Sequence, residues 1–148
     1  MVRVKLPFGF AFSYLLGFDL LPRLKAVASQ KLYCTGDDKP GGYPNLEPVL
    51  TRAINWELII QQYDEMIKYT KALKQGIAEP EAILRRFTKN NVQHPTYKAL
   101  AELGKAIKTI FLCRYIGSED LRSEINEGLN VVENWNCLLW LCICCKFA

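Results

Sequence analysis

Apolar residues recur at three- and four-residue spacing along the chain after residue 50, which is the pattern of an amphipathic helix. The strongest stripe ends at Gly76, a residue suited to the left-handed turn that closes many helices. A periodic apolar face of this kind predicts a helix buried on one side. The stripe consists of Trp56, Ile59, Ile60, Tyr63, Ile67, Thr70 and Leu73.

Proline, glycine and serine mark the ends of the helices that follow. A second helix is predicted to open at Pro80 and a third after Pro95, because the fixed dihedral of proline suits a first helical turn. The third helix should end at Gly117, and Ser118 should then cap a shorter one. The chain beyond residue 49 is therefore predicted to be helical.

The first third of the chain has a different pattern. Phe10–Leu16 predicts a short apolar helix ended by Gly17, and Phe18–Leu24 predicts a strand or an extended segment. Pro22 favours an edge position if this segment is a strand. Residues 35–48 are dense in glycine and proline, which indicates a connecting loop. Together these patterns predict a mainly α fold with at most one or two strands.

Composition is compatible with one ordinary globular domain. The chain has 148 residues and a formal net charge of +4, an excess too small to distinguish a nucleic-acid partner from simple solubility. Four of its six cysteines lie in the last twelve residues, which does not indicate a disulfide framework. We expect a reduced, cytoplasmic chain. No apolar run reaches the roughly 20 residues that a membrane-spanning helix needs, so no membrane partner is expected.

Five short segments, taken in order, resemble the C-terminal catalytic region of bacterial Tn-three-type transposases. The resemblance extends from about residue 10 to residue 136. It implies a ribonuclease-H-like α/β domain with an Asp, Asp, Glu catalytic triad and a helical insertion between the second Asp and the Glu. The segments are Tyr14–Lys25, Tyr43–Leu46, Ile54–Glu57, Ile83–Arg86 and Gly128–Asn130.

The resemblance implies a division of the chain. Residues 1–34 are expected to be a residual ribonuclease-H-like segment, of which about the first nine are atypical of the family. A loop over 35–48 precedes the helical insertion over 49–128. Residues 129–136 would begin the helix of the catalytic Glu, and the cysteine-rich tail over 137–148 departs from the family pattern, as a frameshift product would.

Glu133 is the one residue that matches the catalytic triad. In the family the carboxylates bind magnesium for two-metal cleavage and joining of DNA, and one glutamate cannot assemble such a site. We therefore expect no cofactor on this chain alone. On spacing, Asn130 followed by Glu133 also fits a capping box, in which the carboxylate only accepts a backbone hydrogen bond. The two roles are compatible.

Basic residues in the helical insertion are candidates for DNA contact. They could bind phosphates of the transposon ends or of target DNA, although a solvated helix face is the simpler interpretation. These residues are Lys68, Lys71, Lys74, Arg85 and Arg86. Trp56 could stack on a base, but its place in the apolar stripe favours core packing. His94, beside Pro95, is expected at a surface or capping position.

The sequence is therefore interpreted as a fragment of a DNA transposase of the replicative, cointegrate-forming kind, inactive on its own. Its expected partners are transposon-end and target DNA, with self-association as a further possibility. The alternative is a non-catalytic helical module that binds DNA or regulates a transposase through shared surfaces. Salt-dependent DNA binding without cleavage would favour that alternative.

Overall fold

The computed structural model describes residues 6–24, 26–36, 45–46, 48–88 and 94–130. This part of the chain is mainly α with two short strands, which confirms the predicted fold class. After the last named helix, residues 119–130 are also helical. The named elements are α1 (Leu6–Leu16), β1 (Leu32–Cys34), β2 (Leu50–Ala53), α2 (Trp56–Gln61), α3 (Tyr63–Lys74), α4 (Pro80–Thr88) and α5 (Pro95–Gly117).

The central contact of the fold is between α1 and α5. The apolar residues of α1 face two directions: Phe8 and Ala11 enter one core cluster and Phe10 enters another. A helix that is apolar on several sides must be covered on several sides. The approach to α5 is closest at Gly104, where an added Cβ atom would lie 1.6 Å from the carbonyl oxygen of Pro7. Only glycine permits this contact.

Two apolar clusters form the core on either side of α1. In the first, Phe8 stacks on Tyr97 of α5 with ring centroids 5.2 Å apart and meets Phe87 of α4 edge to face at 5.9 Å. In the second, the rings of Phe10 and Phe111 are 5.3 Å apart, and Ile125 brings the helical stretch 119–130 onto the same cluster. The helices therefore share one continuous scaffold built around α1 and α5.

The two strands form a small parallel pair beside α5. The Leu32 amide donates to the Val49 carbonyl at 3.1 Å, and the Ile54 amide donates to the Cys34 carbonyl at 2.9 Å. A sheet of two strands is not stable alone. It is held to α5 through the Tyr33 amide, which donates to Thr109 Oγ1 at 3.2 Å.

The predicted helix ends are confirmed where a local signal sets them. Gly17 and Gly76 have φ of +90° and +69°, and each follows the end of a helix. Pro95 opens α5, which ends at Gly117. Ser118 Oγ accepts a hydrogen bond from the Leu121 amide at 3.2 Å, so it caps the helical stretch 119–130 as predicted.

Two expectations are corrected by the structure. Residues 18–24 form neither helix nor strand, so the strand alternative for this segment is wrong, and the strands lie at β1 and β2 instead. The apolar stripe is not one helix face, because Gln62 separates α2 from α3. The buried face follows Ile59, Met66 and Thr70, at spacings of seven and four residues, whereas Ile60 and Tyr63 are 74% and 54% exposed.

Candidate nucleic-acid interface

Helix α3 carries three of the five predicted DNA-binding residues, and two of them lie on its exposed face. Met66 and Thr70 are buried on the opposite face, so the side chains of Lys68 and Lys71 point away from the core. The charges also follow the helix dipole, with Asp64 in the first turn and Lys71 in the last turn. This arrangement stabilises α3 whether or not it binds a phosphate.

Lys68 and Lys71 line one open depression on the surface. Tyr63 and Ile77, which are 54% and 76% exposed, line it as well, together with Asp64. The depression therefore offers two ammonium groups, one carboxylate and an exposed aromatic ring. The ammonium groups of such a surface can contact DNA phosphates. Its exposed aromatic and apolar side chains can pack against sugars and bases.

Lys74 lies away from this depression. Its Nζ is 3.7 Å from the position that a Cβ atom on Gly17 would occupy, so it lies at the C-terminal end of α1. An ammonium group there interacts favourably with the negative end of the helix dipole. Lys74 thus has a structural role that requires no DNA.

Arg85 and Arg86 diverge from each other on α4. Arg85 forms an exposed ion pair with Glu81 at 2.7 Å on its own helix. The guanidinium of Arg86 lies 5.9 Å from the ring centroid of Tyr69 on α3. Arg86 is therefore next to the α3 surface, whereas Arg85 is engaged with its own helix. The five predicted residues do not form a single cluster.

The ion pairs that would compete with DNA phosphates for Lys68 and Lys71 are weak or absent among the described residues. Lys68 pairs with Glu65 at 3.4 Å, and the two side chains are 72% and 47% exposed. Exposed pairs of this kind contribute about 0–1 kcal/mol, so a phosphate group can replace the carboxylate at little cost. Lys71 forms no ion pair among the described residues. Both lysines are consequently available to an anionic partner.

The predicted catalytic residue, Glu133, lies outside the described residues. So do the cysteines of the tail. The helical stretch 119–130 leads toward Glu133 and is anchored by Arg122, which donates to the Tyr115 and Ile116 carbonyls at 2.9 and 2.8 Å. These bonds satisfy two carbonyls at the end of α5. The catalytic and capping interpretations of Glu133 therefore both stay predictions.

The described residues do not contain a cluster of side chains that could hold a divalent metal ion. Nowhere in 6–24, 26–36, 45–46, 48–88 or 94–130 do three His, Cys, Asp or Glu side chains converge. The described residues by themselves do not fit a hard-cation site, which needs several oxygen ligands.

Trp56 and His94 take positions at the edges of helices. Trp56 is 40% exposed and its indole N–H donates to the Thr35 carbonyl at 2.9 Å, so the expected core packing is wrong. It is the first residue of α2, and Ile59 is the buried residue of that helix. His94 occupies the N-cap position of α5, but its side chain makes no capping hydrogen bond and its half-buried ring packs edge to face on Phe87 at 5.9 Å.

A polar network between α5 and the strands was not predicted from the sequence. Glu102 binds Lys105 on its own helix and accepts a hydrogen bond from the Asn55 amide at 3.3 Å. The Lys105 ammonium lies 5.4 Å from the ring centroid of Tyr33. Both ion-pair side chains are largely buried, at 18% and 25% exposure. The three-residue spacing of Glu102 and Lys105 was the available signal, but it does not reveal the partners.

Comparison with known proteins identifies the class. The chain matches the sequence model of the Tn3 transposase DDE domain over residues 7–143, which includes the described helices and Glu133. The chain belongs to this family, and it corresponds to a segment of a DNA transposase. The predicted resemblance is thereby confirmed. Membership of a DDE family implies a divalent metal in the catalytic reaction.

Individual relatives agree with this assignment. The transposase for transposon Tn1546 of Enterococcus faecium is 33% identical over 127 residues, which is 86% of this chain and 13% of the relative. The transposase for transposon Tn501 of Pseudomonas aeruginosa is 31% identical over 132 residues, or 87% of this chain and 13% of the relative. The chain thus spans about one eighth of the length of these relatives. No solved structure matches it.

Within the part of the chain that the structure describes, no helix combines the length and apolar character that crossing a bilayer requires.

Proposed function

We propose that this sequence serves in a DNA transposase as the helical insertion of the DDE domain and as the lead into its catalytic glutamate. The observation that carries the proposal is the continuous family match over residues 7–143. In such a protein, Glu133 would be one of several carboxylates that bind magnesium, and the others would come from outside this segment. The reaction would be replicative transposition in the bacterial cytoplasm, with transposon-end and target DNA as substrates.

Catalysis is proposed for the larger protein and not for this chain alone. Two-metal cleavage and strand transfer need carboxylates that clamp both the attacking and the leaving oxygen. The contribution of the helical insertion would be to hold DNA in position, because phosphate contacts set register and orientation without reading sequence.

DNA contact is assigned to the depression on α3. Lys68 and Lys71 are its two cations, whereas Arg86, which lies over Tyr69, is not among the residues that line it. Lys74 and Arg85 should contribute less to DNA binding, since Lys74 lies at the end of α1 and Arg85 pairs with Glu81. The open shape admits a nucleic-acid backbone without any rearrangement of α3.

The test measures DNA binding and cleavage by the purified chain. Fluorescence anisotropy against a duplex should give salt-dependent binding that Lys68→Gln with Lys71→Gln weakens. The slope of log affinity against log salt should fall by about 0.9 for each phosphate contact removed. Lys31→Gln is the matched control, because Lys31 is also an exposed lysine but lies beside the strands, where it donates to the Pro48 carbonyl.

Each outcome has a distinct meaning. An unchanged salt slope in the double variant would remove the α3 depression from the DNA interface. Plasmid cleavage by the chain with magnesium or manganese, lost in Glu133→Gln, would contradict the proposal that catalysis needs the larger protein. Salt-dependent binding without cleavage also fits a non-catalytic regulatory module, which inhibition of an intact relative's transposase would then distinguish.

A further inference from the structure

Exposed apolar side chains lie at both ends of the α3 depression. Tyr63 is the first residue of α3 and Ile77 follows the end of the helix, and both are more than half exposed. Among the described residues, no other aromatic ring packs on Tyr63. Large apolar side chains that share one surface feature indicate a contact site, whereas single exposed ones are ordinary. Phosphate contact with the two lysines alone would leave both side chains uncovered.

The position of Ile77 is fixed by the turn that ends α3. The Gly76 amide donates to the Leu73 carbonyl at 3.0 Å, and the Ile77 amide donates to the Ala72 carbonyl at 2.9 Å. With Gly76 at φ of +69°, these two bonds form a Schellman motif. The helix residue that the motif pairs with Ile77 is Ala72, whose methyl group covers little of an isoleucine side chain. Ile77 is therefore held at the depression with most of its surface open to solvent.

The first turn of α3, which carries Tyr63, is attached to the core. Gln62 precedes Tyr63 and accepts a hydrogen bond from the hydroxyl of buried Thr96 on α5 at 3.0 Å. Met66, one turn after Tyr63, is also buried. The backbone that carries the exposed ring is thus fixed before any partner binds, which lowers the entropy that binding costs.

The charges are distributed unevenly along the depression. Asp64 is exposed beside Tyr63, and its carboxylate repels phosphate groups from that end. Lys68 and Lys71 follow Tyr63 by five and eight residues, which is about 7 and 12 Å along the helix axis. A phosphate is therefore favoured at the lysines and a neutral, flat group at Tyr63. A nucleic-acid strand presents both kinds of group side by side.

We propose that the DNA held at the α3 depression is an unpaired strand, with one base stacked on Tyr63 and neighbouring phosphates on Lys68 and Lys71. This depends on the DNA contact proposed for the same lysines and adds the form of the DNA. In a duplex, the faces of each base are covered by its neighbours, so a surface ring meets only phosphates, sugars and groove edges. An unpaired strand exposes its base faces, which aromatic side chains bind with little regard to sequence. Ile77 offers an apolar surface to a further base or sugar.

Fluorescence anisotropy of the full chain with one labelled oligonucleotide, used alone and annealed to its complement, tests the form of the DNA. Tyr63→Leu keeps the apolar bulk but removes the aromatic face. It should weaken binding of the single strand about tenfold, which is typical of one lost base stack, and leave binding of the duplex unchanged. Tyr63→Phe retains the ring and should bind the single strand as the original chain does.

Tyr14→Leu is the matched control. Tyr14 is 55% exposed against 54% for Tyr63, but it lies on α1 and does not line the depression. Its replacement should change binding of neither form of DNA. Circular dichroism of the variants should match that of the original chain, which separates loss of folding from loss of binding.

A strand with abasic sites in place of its nucleotides tests the stacking from the side of the DNA. The original chain should bind this strand about tenfold more weakly than the complete strand, because no base is left to stack. Tyr63→Leu should bind it as the original chain does. Raised salt should reduce the effect of Lys68→Gln with Lys71→Gln but not that of Tyr63→Leu, since only the phosphate contacts release counterions.

Two results would overturn the unpaired-strand assignment and leave the DNA contact in place. In both, the double lysine variant weakens binding of the single strand and the duplex. In the first, Tyr63→Leu binds the single strand as well as Tyr14→Leu does. In the second, Tyr63→Leu weakens binding of the complete strand, the abasic strand and the duplex equally, so no base is stacked. If the double lysine variant binds both forms normally, the DNA contact itself is wrong, and the assignment fails with it.

Discussion

Replacement of Gly104 by alanine tests the central contact between α1 and α5. The new Cβ atom would lie 1.6 Å from the carbonyl oxygen, 2.4 Å from the carbonyl carbon and 3.1 Å from the Cα atom of Pro7. All three are backbone atoms, so no side-chain rotation can relieve the overlap. The N-terminal turn of α1 must move away from α5, and Phe8 must move with it out of its cluster.

Two opposing effects set the size of the change. Alanine favours a helix interior over glycine by about 1 kcal/mol. Overpacking of a tight core costs typically about 1–3 kcal/mol, and a backbone overlap of this depth belongs at the upper end of that range or beyond it. We therefore expect Gly104→Ala to lower the free energy of unfolding by about 2 kcal/mol.

Gly128→Ala is the matched control. Gly128 lies in the helical stretch 119–130, and an added Cβ atom there meets nothing within 4 Å. Only the higher helix propensity of alanine then acts, so the free energy of unfolding of this variant should rise by about 0.5–1 kcal/mol. The same substitution in two helices is thus expected to have opposite signs.

Urea unfolding followed by circular dichroism measures both variants. The midpoint should fall for Gly104→Ala and rise for Gly128→Ala, with the slope of the transition unchanged. If Gly104→Ala were as stable as the original chain, the close approach of Pro7 to α5 would be refuted. If Gly128→Ala were destabilised as well, the explanation by local overlap would fail.

Two further predictions concern the connections between elements. Gly76→Ala should lower the free energy of unfolding by about 1 kcal/mol, because Gly76 has φ of +69° and a methyl group there would meet no neighbour, so only backbone strain acts. Thermal unfolding measures the change, and Gly117→Ala, at an ordinary φ and in open space, is the control that should not lose stability. Thr109→Val should lower the free energy of unfolding by about 1 kcal/mol because the Tyr33 amide loses its acceptor, whereas Thr109→Ser retains it. Hydrogen exchange at the Tyr33 amide should be faster in the valine variant only, and equal exchange in both variants would count against the contact.

The sequence by itself determined the class of fold, the ends of most helices and the family. Gly17, Gly76, Pro95 and Ser118 act through the backbone of one turn, and such local signals keep their meaning in any tertiary context. The family was evident from segments spread along the chain, because several short patterns in one order are far more specific than any single one. The role of Glu133 rests on that same resemblance and stays a prediction.

The tertiary structure decided which surfaces are buried and which residues meet. Helices α2 and α3 bury the face of Ile59, Met66 and Thr70, so Trp56 and Ile60 lie at the surface although their spacing matched a buried stripe. The strands β1 and β2 also pair although they are separated in sequence, which no local pattern specifies. The contact of Pro7 with Gly104 likewise joins residues that are distant in sequence. The periodicity of apolar residues describes only the helix in which it occurs, whereas these contacts depend on how separate segments pack together.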